Sequence, residues 1–277
     1  MTPAKMTKLA VIIGRAPKAA VAFSGGVDSS LLLRLAADIL GRPNVVAVTG
    51  VSQTYTKEER TSARRFARAL GVKHVLIETD ELACRAFARN PGDRCYHCKK
   101  ELFCKISDLA RRRGLPVLLD ATNADDLADY RPGRRAAAEA GVVSPFVLAG
   151  WTKKDIRAVS KRLGLASWDK PANPCLASRV PYGTPITADV LERIHAGETV
   201  LRKLGFAVVR LRHHGPVARV EVPAGDFARL LRPATARKIA ASLKALGYHW
   251  VALDIEGYRM GSLNRPLAKP GGGGVKR

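Results

Sequence analysis

A short glycine turn constrains this chain most: Ser24-Gly25-Gly26-Val27-Asp28-Ser29, set between an apolar run, Ala19 to Phe23, and an apolar helical stretch, Ser29 to Leu40. Two glycines let the backbone turn sharply and bring its N–H groups against a phosphate. The helix that follows presents the positive end of its dipole to the same spot. Ser24 and Ser29 add hydroxyl donors. An Asp inside such a loop repels phosphate unless a cation bridges the two, so Asp28 points to a Mg²⁺-bound nucleotide. The loop has neither the Gly-Lys-Ser/Thr ending of a Walker motif nor the G-x-G-x-x-G spacing of dinucleotide folds. The competing reading is a plain strand-to-helix turn, capped by Ser and Asp.

The flanking sequence repeats the strand, loop and helix pattern. Val45 to Thr49 and Val75 to Glu78 read as strands around an amphipathic helix, Lys57 to Leu70, closed by Gly71. A helix from Lys99 to Arg113, an apolar strand 116–120 and a helix from Trp151 to Leu163 continue the alternation. The fold class is therefore α/β, a parallel sheet covered by helices on both faces, with ligands expected beyond the carboxyl ends of the strands. From Ser167 to Thr187 the chain turns rich in Pro, Gly and Ser, as a connection does. Residues 1–186 are assigned to this domain and its connection. Residues 187–260 form a smaller α+β domain, with helices 188–204, 224–231 and 233–246 and strands 206–212, 217–222 and 249–254. The Gly-rich end, 261–277, is assigned to a flexible tail.

No continuous apolar stretch reaches the roughly 20 residues that cross a bilayer, and the N-terminus carries no export signal, so no membrane role and a cytoplasmic location are expected. The net charge of +23 favours polyanionic ligands, but it is spread along Arg-rich helix faces and does not by itself establish RNA binding. Five cysteines, an odd number, argue for metal or catalytic use over a disulfide framework. Cys95 and Cys98 form a C-x₂-C pair, and Cys175 lies in the Pro-rich connection. Three thiolates suit a [4Fe-4S] cluster with one iron left open for a sulfide; a zinc site that adds His97 is the competing set. Cys84 and Cys104 fall at apolar positions of helices and read as core thiols.

The loop resembles the signature of the PP-loop ATP pyrophosphatases. The segments DRCYHCK, ATNADDLADYRPG, SPF, PCLASRVPYGTPIT and LRKLGF with LRHHG narrow the resemblance to the LarE family, over Val21 to Asp254. That resemblance implies an ATP-dependent sulfur transferase for nickel-pincer nucleotide biosynthesis. ATP adenylates a carboxylate of pyridinium-3,5-biscarboxylic acid mononucleotide, and sulfur displaces AMP. In one branch the cysteine matching Cys175 gives up its own sulfur. A second branch has three cysteines and a cluster that passes on sulfide, and Cys95, Cys98 and Cys175 match that one. The family also implies a hexamer. Where glycine is more usual, this chain has Ala121, a mild departure unless that backbone needs a positive φ.

On this reading Ser24, Gly25, Gly26, Asp28 and Ser29 hold ATP and Mg²⁺. Arg179 balances phosphate charge, with a surface salt bridge as its alternative. Asn123, Asp125 and Asp126 hold Mg²⁺ or orient substrate, with helix capping as the alternative for Asp125. Arg210 and Arg212 alternate along a strand and share a face that can grip a nucleotide phosphate. Glu198 is a candidate for a metal or subunit contact, or a helical surface charge. Two other functions fit parts of the pattern: a tRNA thiolase, against which the absence of a recognised RNA-binding appendage argues, and an amidotransferase-type synthetase, which does not need three cysteines.

Overall fold

The computed structural model describes residues 3–171 and 173–259. The tail assigned to 261–277 lies outside the described residues. The chain forms two compact units. The first combines the described residues up to Phe87 with Asp93–Asn173, and the second combines Ala88–Gly92 with the residues from Pro174 onward. This division falls before the boundary expected near Thr187, so the Pro-rich connection after Asn173 groups with the second unit.

The first unit is a four-stranded parallel sheet in the order β3-β2-β1-β4, with β1 Ala19–Ala22, β2 Val45–Val51, β3 Lys73–Glu78 and β4 Val117–Leu119. Helices α1 (Pro3–Gly14), α2 (Val27–Leu40), α3 (Lys57–Leu70), α4 (Arg85–Ala88), α5 (Arg94–Arg112), α6 (Gly133–Glu139), α7 (Pro145–Leu148) and α8 (Lys153–Arg162) join and cover these strands. The α3 limits match expectation because both ends are written locally. Thr56 and Glu59 make a reciprocal capping box, and Gly71 takes the left-handed conformation that ends the helix. One core layer packs α1, α2, α3 and α8 against the sheet through Leu9, Leu31, Leu32, Val45, Ala67 and Ile156; the other packs α5 and α6 through Phe103, Ile106, Leu118 and Ala136. Fully buried strands explain the near-continuous apolar runs of β1 and β2.

The second unit contains α9 (Ala188–Lys203), a hairpin of β5 (Arg210–His214) and β6 (Val217–Glu221), α10 (Phe227–Leu230), α11 (Pro233–Ala245) and β7 (Trp250–Leu253). β5 and β6 are antiparallel, while β7 runs parallel to β6 after the helical crossover. Leu201, Leu211, Val220, Ile239 and Leu243 form its own core. Among the described residues no helix is long and apolar enough to cross a membrane.

Candidate active site

The loop from Ser24 to Ser29 leaves the carboxyl end of β1 and runs into α2. Gly25 has φ +73°, and a Cβ there would stand 3.3 Å from the Cβ of Ala63 on α3, so both conformation and space demand glycine. Gly26 occupies the N-cap of α2 without a side-chain cap, so the helix turns its first N–H groups towards the loop. The Ser24 and Ser29 hydroxyls lie 3.1 Å apart; Gly26 N–H donates to Ser24 Oγ at 3.4 Å, and Ser29 Oγ donates to Gly26 O at 3.3 Å. The loop thus closes on its own hydroxyls, in the shape of an anion cradle. Tyr55 braces it by donating to Ser24 O at 3.1 Å.

Asp28 lies in the first turn of α2, with Oδ2 2.5 Å from Lys153 Nζ. Its Oδ1 is buried and makes no hydrogen bond among the described residues. Burial raises the Asp28 pKa, and the neighbouring Lys153 charge only partly offsets this. A half-buried carboxylate with one orphaned oxygen fits a divalent cation, which Asp28 would hold together with nucleotide phosphates. Lys170 Nζ adds a second cation by donating to Gly25 O at 3.3 Å.

The segment after β4 is mostly committed to caps. Asn123 Oδ1 accepts from Asp125 N–H at 3.0 Å, and Asp126 Oδ2 accepts from Asn123 N–H at 3.0 Å. Asp126 Oδ1 pairs with Arg131 at 2.9 Å. Asp125 Oδ2 accepts from Lys153 N–H at 2.8 Å, so it caps α8, in line with the capping alternative. These bonds use both Asp126 oxygens, which favours orientation of the segment over direct metal ligation. Ala121 does not have a positive φ, so its replacement of glycine carries no strain.

Cys95 and Cys98 fall in the opening turns of α5, one helical turn apart and therefore on neighbouring positions of one face. Cys95 is exposed, and Cys98 donates its S–H to the buried Glu81 carboxylate at 3.6 Å. Two thiols so spaced fit a soft metal or cluster. His97 is turned to Asp93, with Nε2 3.8 Å from Oδ1. Cys104 is exposed and Cys84 half-buried, which corrects their reading as core thiols; Cys104 lies on the solvent side of α5.

In the second unit Cys175 is exposed at the N-cap of a short 3-10 turn, Leu176–Arg179. Arg179 is 1% exposed and Glu198 0%, so neither is a surface charge. Glu198 accepts from Arg179 Nε at 2.8 Å, Arg179 Nη2 at 3.1 Å, Arg202 Nη2 at 2.5 Å and Leu211 N–H at 3.2 Å. Burial alone would raise its pKa, but the charges of Arg179, Arg202 and Arg210 outweigh that and hold it below the ordinary value. With its oxygens filled this way, Glu198 is a structural counter-ion, and the geometry argues against a metal ligand. Arg179 also donates to the carbonyls of Pro174 and Cys175, so it ties the cysteine-bearing loop to α9.

Arg210 and Arg212 do share one face of β5, opposite Leu211. Arg212 gives its fork to Glu221, at 2.9 and 2.7 Å, and a third N–H to Ser178 O at 2.8 Å. Arg210 donates to Val209 O at 2.7 Å and lies over the ring of Tyr258. Arg212 is thus a framework residue, and Arg210 the stronger phosphate candidate.

Lys153, Lys170 and Tyr55 are the site residues that sequence reasoning missed. A signal existed for the first: Lys153 and Lys154 open α8, where the helix dipole disfavours cations and acidic residues are preferred.

Comparison with known proteins gives this arrangement its context. The sequence pattern of the asparagine synthase family matches residues 16–160, which contain the loop and most of the parallel-sheet unit. The uncharacterized protein slr1717 of Synechocystis sp. is 40% identical over 97% of this chain and all of its own length. The pyridinium-3,5-bisthiocarboxylic acid mononucleotide synthase of Lactiplantibacillus plantarum is 39% identical over 90% of each chain. An uncharacterized protein of Methanocaldococcus jannaschii, MJ0830, is 29% identical over 87% of this chain and 91% of its own. With the loop, the sheet and near full-length similarity in agreement, the chain belongs to the LarE family of PP-loop ATP pyrophosphatases.

Proposed function

We propose that this protein is an ATP-dependent sulfur transferase that converts pyridinium-3,5-biscarboxylic acid mononucleotide to its thiocarboxylate form in nickel-pincer nucleotide biosynthesis. The observation that carries the reading is the glycine loop under an uncapped α2, faced by Lys153, Lys170 and the orphaned Asp28 oxygen. The L. plantarum relative's name gives the bisthiocarboxylic acid mononucleotide as product, and the matching biscarboxylate is the substrate that oxygen-for-sulfur exchange requires.

A carboxylate is a poor electrophile because it carries negative charge and no leaving group. Attack of a substrate carboxylate oxygen on the α-phosphorus of ATP forms an acyl adenylate and releases pyrophosphate. Backbone N–H groups of the loop and the two lysine ammoniums stabilise the charge that builds on the departing pyrophosphate. Asp28, with its orphaned Oδ1, would hold a Mg²⁺ that supplies charge compensation for the phosphates. Sulfide then attacks the acyl carbon, a C–S bond forms, and the C–O bond to AMP breaks; two rounds serve the two carboxylates. Arg210 grips the mononucleotide phosphate, with Arg212 holding the strand it stands on. By the family resemblance, the thiols of Cys95, Cys98 and Cys175 would be the ligands of a [4Fe-4S] cluster, which would supply bound sulfide; the same family reading implies a hexamer and a separate sulfur donor.

Pyrophosphate release measured with the biscarboxylate mononucleotide, against bulk tRNA as competitor substrate, tests the assignment. Turnover on the mononucleotide supports it, and turnover on tRNA alone replaces it with a tRNA thiolase. Anaerobic purification with iron and sulfide analysis tests the cluster. Cys95→Ala is expected to abolish iron binding while ATP binding survives; stoichiometric loss of the Cys175 sulfur without iron would place the protein in the single-use branch.

A further inference from the structure

The parallel-sheet unit carries a charged concavity whose residues the glycine loop does not use. Arg60, Arg64 and Arg68 follow one another along α3 at four-residue steps, about 6 Å apart along its axis, and Arg65 stands beside them. Like charges so spaced repel. Elsewhere in the unit Arg34, Arg111 and Arg131 each face a carboxylate. None of the four α3 guanidiniums makes a side-chain hydrogen bond or an ion pair among the described residues. Arg64, Arg65 and Arg68 line one groove of about 730 Å³ between α3 and β3, the edge strand of the sheet. Val72 and Leu76 give it an apolar floor, Thr61 adds a hydroxyl, and no carboxylate lines it. Sites for small molecules span about 300–1,000 Å³. Three guanidiniums beside an apolar floor complement a molecule with several negative charges at one end and a flat apolar group at the other.

His74, on β3, also lines the groove and ties it to the loop. Thr49 Oγ1 donates to Phe23 O and so accepts from His74 Nε2 at 2.8 Å. That leaves the buried Nδ1 as the unprotonated nitrogen, with no hydrogen-bond partner among the described residues. Burial, and then the charge of Arg64, hold the His74 pKa below the ordinary histidine value. The Phe23 ring meets the His74 ring edge-on with centres 5.7 Å apart, and Phe23 immediately precedes Ser24.

We propose that the α3–β3 groove is a second nucleotide site, in which Arg64, Arg65 and Arg68 hold the phosphates of a nucleoside di- or triphosphate and Val72 and Leu76 receive its base. Phosphates there cancel the repulsion along α3, and their charge is felt at His74. The test is calorimetric titration of the full chain with ATP, and separately with inorganic tripolyphosphate, at physiological ionic strength. Wild type is compared with Arg64→Gln/Arg68→Gln, with Lys153→Met, and with Arg112→Gln/Arg113→Gln as an equally discharged control. Wild type is expected to bind ATP at two sites per chain. Arg64→Gln/Arg68→Gln should weaken one of them about ten- to hundredfold and spare the other, with Lys153→Met doing the reverse. Tripolyphosphate should depend on the same two arginines and bind the groove more weakly than ATP, because it has no base for the apolar floor. In ring-labelled protein the His74 nitrogen resonances should shift in step with filling of the arginine-dependent site. A single ATP site, or two sites that Arg64→Gln/Arg68→Gln leaves unchanged, overturns the proposal. So does an equal loss in Arg112→Gln/Arg113→Gln, which would mark diffuse charge, or a His74 signal that stays still as the site fills. Bulk tRNA that loses affinity in Arg64→Gln/Arg68→Gln, with only one ATP site in wild type, would overturn it in favour of a nucleic-acid tract.

Discussion

Replacing Glu198 with glutamine removes one charge from the buried network of the second unit and leaves its shape almost intact. The carboxylate accepts four hydrogen bonds, three of them from guanidiniums. Glutamine offers one acceptor oxygen, and its NH₂ must face a guanidinium donor. Arg179, only 1% exposed, then loses the charge that offsets its burial. Stripping one partner from a buried pair costs about 3–5 kcal/mol, and the surviving acceptor keeps part of that, so a loss of about 2–4 kcal/mol is expected near pH 7. Urea unfolding followed by far-UV circular dichroism measures it, with faster hydrogen exchange at the Leu211 amide as a local readout. The pH dependence has a definite sign. The neighbouring guanidiniums hold the folded-state pKa of Glu198 below the ordinary glutamate value, so its contribution is fully present above the ordinary range and lost as the pH falls through the folded value. Wild type and Glu198→Gln should therefore converge in acid. A difference below about 1 kcal/mol at neutral pH, or a gap that widens as the pH drops below the ordinary glutamate range, would refute a charge-bearing buried pair.

Two further outcomes concern the loop. Gly25→Ala forces a left-handed backbone on a residue with a Cβ and presses it against Ala63; thermal unfolding should show a loss of about 1–2 kcal/mol, and ATP binding by calorimetry should be lost with it. Lys153→Met removes a cation beside Asp28, and with charged hydrogen bonds contributing about 1.5–3 kcal/mol, the KM for ATP should rise about 10- to 100-fold, while the KM for the mononucleotide holds. Unaltered ATP kinetics in that variant would remove Lys153 from the phosphate site.

The parallel sheet and the loop were legible because their signals are local: apolar runs of strand length, two glycines, a capping box and a left-handed Gly71. α1 had no counterpart in the sequence reading, although Leu9 and Ile13 bury fully in the core. α5 begins at Arg94, ahead of the expected Lys99, because DRCYHCK carries polar and cysteine residues in place of an apolar stripe. In the sequence Glu198 reads as a metal or subunit contact or a surface charge because its helix offers only Arg202 as a local partner, while Arg179 and the Leu211 amide reach it from outside that helix. Lys153 and Lys170 were missed for the same reason: they reach the loop only once the chain has folded across more than a hundred residues.

The self-bonded loop has a kinetic consequence. Ser24 and Ser29 bond to one another, and Lys153 bonds to Asp28. An arriving triphosphate exchanges those bonds for new ones, so much of its gross interaction energy is cancelled. The same exchange runs in reverse when pyrophosphate departs, because the cradle has a stable resting shape to fall back to. On the proposed reaction, such a loop would trade tight nucleotide retention for easy clearance between successive activations.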